Sequence, residues 1–359
     1  MKQEIAKAFH ISQQQLRTFF LTMLAMFIIT CLQYLGVRSP WKPPKLVLPI
    51  PQEKANTMDS IKPKLEQHRS TFSLKEDASF VPQTFAAEDF EQLSAYALID
   101  LDTGEVIKQK SGNERLPIAS LTKVMTAIVA LDLANPDEMI TVDSQAAGMI
   151  PTKIGIVPGE RMQLGELLHA SLMTSANDAT QQIKNGLDAK YHDQIFIKSM
   201  NEKANFLGLT NTHFANAEGL DSPDNYSSAE DLARLTQYAL TNYPIFADIV
   251  ARDYYQLPSN DYHKQFDLYN WNGLLDVYPD IHGVKIGNTE AARTTSIVYA
   301  TRGGKKLVAV VLGAPNITKR DLWAAKLLDF GYQQTLGLAP VNVTEEQLAA
   351  KYSTWHYWN

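Results

Sequence analysis

Ser120 and Lys123 stand three residues apart in Pro117-Ile-Ala-Ser-Leu-Thr-Lys123, at the start of a long apolar stretch that reads as helix. Residues three apart on a helix share a face, so the hydroxyl and the amine come within reach of each other. A serine hydroxyl is a weak nucleophile until a base removes its proton. A lysine does this when burial and neighbouring charges lower its pKa. The start of a helix adds unpaired backbone N–H groups, which favour developing negative charge. The pair therefore fits acyl transfer through a serine-bound intermediate. A simple capping serine gives the same local pattern, so the spacing alone is a weak signal.

Two further clusters add to it. Ser175-Ala-Asn177 falls between two helical stretches, where Ser175 offers a second hydroxyl for proton relay and Asn177 an amide for a substrate carbonyl. His282-Gly-Val-Lys-Ile-Gly-Asn288 reads as a strand near a sheet edge. There Lys285 supplies positive charge, and Gly287 lets a substrate backbone approach closely. Each cluster has an ordinary explanation as a turn or a solvated strand. The three together, in this order, make a more specific pattern.

The elements that must position them follow from apolar periodicity and turn residues. Residues 95–102 read as a strand, Asp102-Thr-Gly-Glu105 as a turn, and Val106-Ile107 as the start of a partner strand. Residues 121–133 are apolar on most faces, which predicts a helix at the centre of the core. Residues 164–187 predict two helices flanking Ser175. Residues 229–241 predict another, capped by Ser227 or Ser228 with Asp231 in its first turn. Strands return at 284–286, 294–300 and 306–312, the last two joined by a turn at Arg302-Gly-Gly304. A closing helix is expected over 321–330. Strands, then helices, then strands again predict an α/β (α+β) sandwich: an antiparallel sheet with a helical cluster inserted.

The composition fits a folded body, with 45% hydrophobic and 20% charged residues over 359 positions. A formal net charge of -6 gives no general attraction to nucleic acid. The single cysteine, Cys31, excludes an intrachain disulfide and a thiolate metal cluster. The eight histidines form no His-x-x-x-His pair, which argues against a zinc peptidase. Lys2, Lys7 and Arg17 precede an apolar run from Phe19 to Leu35, the pattern of a signal peptide or a signal anchor. The run is about 17 residues, the short end of what spans a bilayer. Its basic flank is expected to stay in the cytoplasm, with the rest of the chain outside. The expected organisation is a flank and anchor or signal over 1–35, a proline-containing linker or stalk over 36–92, a catalytic domain over 93–335 and a short tail over 336–359. Trp355, Tyr357 and Trp358 in that tail are expected either to pack on the body or to meet a partner or membrane interface.

Ser-x-x-Lys, Ser-x-Asn and Lys-x-Gly, in that order, resemble the signature of penicillin-interacting serine enzymes. Over about residues 93–333 the chain resembles the D-alanyl-D-alanine carboxypeptidases, the low-molecular-mass penicillin-binding proteins. Ala97-Leu-Ile-Asp-Leu-Asp-Thr-Gly104, Arg115 to Thr126, Phe214-Ala-Asn216, Tyr226 to Leu232 and Val310-Val-Leu-Gly-Ala-Pro315 extend the likeness beyond the three motifs. The resemblance implies the β-lactamase/transpeptidase-like fold and a reaction without metal or organic cofactor. It implies Ser120 as nucleophile, Lys123 as general base in acylation and Ser175 as proton relay. It implies Asn177, Lys285, Gly287 and Asn288 as substrate-binding positions, with the N–H groups of Ser120 and Asn288 as oxyanion hole. Peptidoglycan stem peptides are the implied substrates, β-lactams the implied acylating inhibitors, and the extracytoplasmic face of a bacterial envelope the implied location.

One position departs from the family. The usual Lys-Thr-Gly is here Lys285-Ile-Gly287. In the family that threonine hydroxyl helps bind the substrate's free carboxylate, and isoleucine has none. The lost bond is worth about 1.5–3 kcal/mol. A D,D-carboxypeptidase is therefore joined by three other readings: a D,D-endopeptidase of the same fold, a β-lactamase or esterase, and a weakly active peptidoglycan-binding protein. No deacylating glutamate loop of the β-lactamase type is evident.

Overall fold

Among the described residues ten strands are present. They are β1 (Lys75–Glu76), β2 (Ala95–Asp100), β3 (Glu105–Lys110), β4 (Met139–Thr141), β5 (Arg161–Gln163), β6 (Tyr254–Leu257), β7 (Phe266–Tyr269), β8 (Ile281–Thr289), β9 (Arg293–Arg302) and β10 (Lys305–Ala314). Six of them form the main sheet in the order β1-β3-β2-β10-β9-β8. Every pairing in it is antiparallel except the short β1–β3 contact. The expected antiparallel sheet built from both ends of the domain is thus present, with β8 at one edge. The computed structural model describes residues 13–34, 57–76 and 90–355.

The sheet is covered on both faces, and alternate side chains divide between two cores. Ala95, Ala97, Ile99, Val308, Val310 and Leu312 pack toward the helical cluster. Tyr96, Leu98, Val298, Leu307, Ala309 and Val311 pack toward the C-terminal helices. This is the period of two expected of a strand, with both faces buried. The turn between β2 and β3 is held by Asp100, whose Oδ1 accepts from the N–H groups of Asp102 (2.8 Å) and Thr103 (3.1 Å).

Eleven α-helices are described: α1 (Gln13–Tyr34), α2 (Thr57–Leu65), α3 (Lys123–Leu133), α4 (Ser144–Ala147), α5 (Leu164–Leu172), α6 (Asn177–Tyr191), α7 (Phe196–Phe206), α8 (Ala229–Asn242), α9 (Pro244–Ala251), α10 (Ile317–Leu336) and α11 (Glu345–Tyr352). Almost every side chain of α3 is buried, as its all-round apolar character requires. The Ser228 hydroxyl accepts from Asp231 N–H at 3.2 Å and caps α8. The closing helix is longer than the expected 321–330. Asn316 caps its start by accepting from Lys319 N–H at 2.8 Å, and Gly337, at φ 66°, ends it in the left-handed conformation.

Residues 1–54 and 55–359 form separate compact units. In the first, α1 exposes Phe19, Phe20, Leu21, Met23, Leu24, Met26, Phe27 and Ile28. Among the described residues no helix is long and apolar enough to cross a membrane. Lys2, Lys7 and the proline-rich stretch over 38–50 lie outside the described residues, as do Tyr357 and Trp358.

The stretch expected to be a stalk differs from its reading. Part of it belongs to the body: α2 buries Ile61 and Leu65, each 1% exposed, and β1 extends the sheet. Mixed polarity hid two apolar residues at i and i+4 that only a partner surface makes meaningful. A buried cation holds the arm in place. Lys203 Nζ donates to Leu65 O (2.7 Å) and to Tyr238 Oη (2.8 Å), and pairs with Asp132 at 2.9 Å. Tyr238 Oη donates in turn to Gln67 O at 2.7 Å. A protein beginning at Leu93 is therefore expected to be less stable than one beginning at Ala55. Exposing the surface that Ile61 and Leu65 cover costs about 3 kcal/mol or more, read as a lower denaturant midpoint. Equal midpoints would mean that the arm contributes nothing.

Candidate active site

The chain enters α3 through a 3-10 turn, Ala119–Thr122, which carries Ser120. Lys123 begins the α-helix and is fully buried. Its Nζ donates to Ser120 Oγ at 2.8 Å, to Asn177 Oδ1 at 2.9 Å and to Glu218 O at 2.6 Å. Burial strips water from the ammonium and brings its pKa down to about 7, against the pull of Glu218 and Asp178. A lysine so placed is substantially neutral near neutral pH and can accept the Ser120 proton. Burial also raises the pKa of the Glu218 carboxyl, although the Lys123 charge opposes the rise.

Ser175 sits between α5 and α6 at φ 61°, a left-handed conformation uncommon for a residue with a side chain. The turn brings its hydroxyl to the cleft that Ser120 also lines. Asn177 follows as the first residue of α6. Its amide ties Lys123 to the wall of the site, since Nδ2 donates to Ile150 O at 3.2 Å and its N–H to Thr152 O at 2.7 Å. Asp178 accepts from the N–H groups of Ile154 (3.2 Å), Gly155 (2.8 Å) and Ile156 (3.2 Å), fixing the loop that includes Pro151 and Thr152.

The third cluster lies on β8, an edge strand of the sheet, the kind of position where an extended peptide can add as a further strand. Gly287 packs against the turn that carries Ser120: a Cβ there would meet Thr295 Oγ1 at 2.6 Å, Ala119 Cβ at 2.9 Å and Ser120 N at 2.9 Å. Lys285 is 1% exposed and donates to Ile286 O at 3.0 Å. Burial first, then the charges of Lys123 and Arg320, hold its pKa well below the usual lysine range.

Ser120, Ser175, Ile286 and Asn288 line one cleft of about 350 Å³. Lys123, bonded to Ser120 Oγ and Asn177 Oδ1, sits directly behind Ser120. A second cavity of about 380 Å³, between the arm at Arg69–Lys75 and the β2–β3 turn, contains no nucleophile–base pair.

Residues 83–316 match the D-alanyl-D-alanine carboxypeptidase family. This chain belongs to that family. It is 34% identical over 268 residues to D-alanyl-D-alanine carboxypeptidase DacF of Bacillus subtilis, covering 71% of this chain and 68% of that protein. It is 34% identical over 242 residues to DacB2 of Mycobacterium tuberculosis, covering 66% of this chain and 81% of that one. The solved Streptomyces K15 DD-transpeptidase superposes with a TM-score of 0.64 at 26% identity, over 70% of this chain and 99% of that structure. The chain therefore has the sheet-and-helical-cluster fold of these serine enzymes.

Several residues that shape this family member's site escape a reading of its motifs. Glu218 supplies the carbonyl that accepts from Lys123. Its sequence neighbours Ala217 and Gly219 gave no hint of that contact. Arg320, Trp271, Ile317 and Trp355 also line the cleft, and Arg320 and Trp355 lie beyond the family match. Arg320 is 1% exposed and is clamped by Asp321 through bonds of 2.7 and 2.9 Å.

Proposed function

We propose that this chain is a serine D,D-carboxypeptidase that removes the terminal D-alanine of peptidoglycan stem peptides through an acyl-Ser120 intermediate. The observation that carries it is the 2.8 Å bond between Ser120 and a buried Lys123 whose pKa is brought down to about 7. Lys123 takes the Ser120 proton as Oγ attacks the carbonyl of the penultimate D-alanine. The N–H groups of Ser120 and Asn288 stabilise the oxyanion. As the C–N bond breaks, the proton taken up by Lys123 passes through the Ser175 hydroxyl to the leaving amine. Water then attacks the acyl-enzyme and gives a proton to Lys123, which passes it to Ser120 Oγ as the ester bond breaks. Asn177 holds Lys123 and the substrate backbone, Gly287 lets β8 approach the turn that carries Ser120, and Lys285 tunes the charge around Ser175. A β-lactam acylates the same serine through its strained amide.

Ile286 cannot give the substrate carboxylate a hydrogen bond. Arg320 supports an alternative, because this residue lines the same cleft and its charge is felt at Lys285. A guanidinium matches a carboxylate in geometry as well as charge. The test is a product analysis on a pentapeptide muropeptide and a cross-linked dimer. Release of D-alanine from the pentapeptide is expected, and cleavage of the dimer alone would overturn the reading. In the same assay Arg320→Leu is expected to lower kcat/KM on the pentapeptide by about 10- to 100-fold. A carboxyl-amidated analogue should be unaffected.

The family works on the outer side of the cytoplasmic membrane, in the cell envelope. The N-terminal helix, with its exposed apolar side chains and basic flank, is the segment we assign to export and to holding the body at the membrane. Loss of membrane-fraction activity on deleting residues 1–35 is the expected result. Unchanged fractionation would remove that role.

A further inference from the structure

We propose that the C-terminal segment carrying Trp355 walls the leaving-residue end of the cleft and restricts the enzyme to small, uncross-linked leaving groups. The inference rests on the carboxypeptidase reading and adds the residues that set which bond is cut. The family match ends at residue 316. Beyond it, Ile317, Arg320 and Trp355 line the same cleft as Ser120 and Ser175.

The position of this wall follows from its contacts. Trp271 N–H approaches Met173 O at 3.5 Å, two residues before Ser175, and Trp271 O accepts from Arg320 at 3.4 Å. Trp271 therefore bridges the Ser175 turn and Arg320. The leaving D-amino acid must direct its amine to Ser175, which protonates it, and its carboxylate to Arg320. Its side chain then falls between those two points, against Trp271, Ile317 and Trp355. A methyl group fits such a space. In a cross-linked dimer the leaving residue continues into a second stem peptide, and the indoles stand across that path.

Trp355 is fixed rather than loosely apposed. It is 8% exposed and its ring packs on Tyr352 at a centroid separation of 4.8 Å. Tyr352 Oη donates to Asp321 Oδ2 at 2.9 Å, Lys351 pairs with Asp253 at 2.6 Å, and Lys319 pairs with Glu345 at 2.9 Å. Leu348 is fully buried on the same helix. These contacts pin α11 to α10 and to the segment before β6, so the indole acts as a rigid boundary.

The experiment compares the full chain with Trp355→Ala and Trp355→Phe. Three substrates are used: a pentapeptide ending in D-alanine, the same peptide ending in D-phenylalanine, and a cross-linked dimer. Acylation by benzylpenicillin reports whether Ser120 and Lys123 remain assembled. In Trp355→Ala the ratio of kcat/KM for the D-phenylalanine peptide to that for the D-alanine peptide is expected to rise about tenfold or more. Dimer cleavage is expected to appear, with Trp355→Phe between it and the parent. Penicillin acylation with an unmoved ratio would overturn the inference, as would a parent enzyme that already cuts the dimer as fast as the pentapeptide. If Trp355→Ala fails to bind penicillin, the ratio is read in Trp355→Phe, where an unmoved value overturns the inference equally. Failure of the parent to release D-alanine from any peptide would instead defeat the carboxypeptidase reading itself.

Discussion

Ser120→Ala is expected to abolish acyl-enzyme formation with peptide and β-lactam alike, and Lys123→Ala to slow it by about 10²- to 10⁴-fold. The first removes the oxygen proposed to form the covalent bond. The second leaves that oxygen in place without its base. Intact-protein mass after incubation with benzylpenicillin reads both directly. The pH profile separates a base from a structural cation. As the proposed base Lys123 would act in its neutral form, and burial brings its pKa down to about 7. Acylation should therefore fall as pH drops through about 7 and level off above it. Lys123→Ala should lose that limb along with the rate. A flat profile in the parent enzyme, or rapid acylation in Lys123→Ala, would assign proton transfer to another group.

Gly219→Ala is expected to cost about a hundredfold in acylation rate while the body stays folded. Gly219 lies at φ +85°, a conformation that side chains rarely adopt. An added Cβ would sit 2.0 Å from Ala119 O and 2.9 Å from Ser120 N. Neither neighbour is a flexible side chain, so the turn carrying the nucleophile must move. The same shift would disturb Glu218 O, which accepts from Lys123 at 2.6 Å. A displacement of about 1 Å at a reacting group can cost about 10²-fold. Circular dichroism and the denaturant midpoint show whether the fold survives. Near-normal acylation in a folded Gly219→Ala would mean that the turn tolerates the displacement.

How much of this was legible beforehand varies by residue. Ser120 and Lys123 share a helix face because of their spacing, and the structure gives them a 2.8 Å bond. The sheet, the central helix and the Ser228 cap followed from apolar period and turn chemistry, which act over a few residues. The full span of α10 depended on Asn316 and Gly337, local cues that were present and not used. The arm over 57–76 was not legible, because Ile61 and Leu65 mean little until Lys203 and Tyr238 arrive from far along the chain.

The sequence by itself determined the order of elements, the three-residue spacing of Ser120 and Lys123, and the absence of a hydroxyl at Ile286. These depend on side-chain chemistry and short spacings. Tertiary structure decided the rest. It buried Lys123 and so set its pKa, placed Glu218 O 95 residues away within 2.6 Å of that amine, and brought Arg320 and Trp355 to the cleft. The physical reason is that desolvation and enclosure belong to many packed elements at once, and no stretch of sequence contains them.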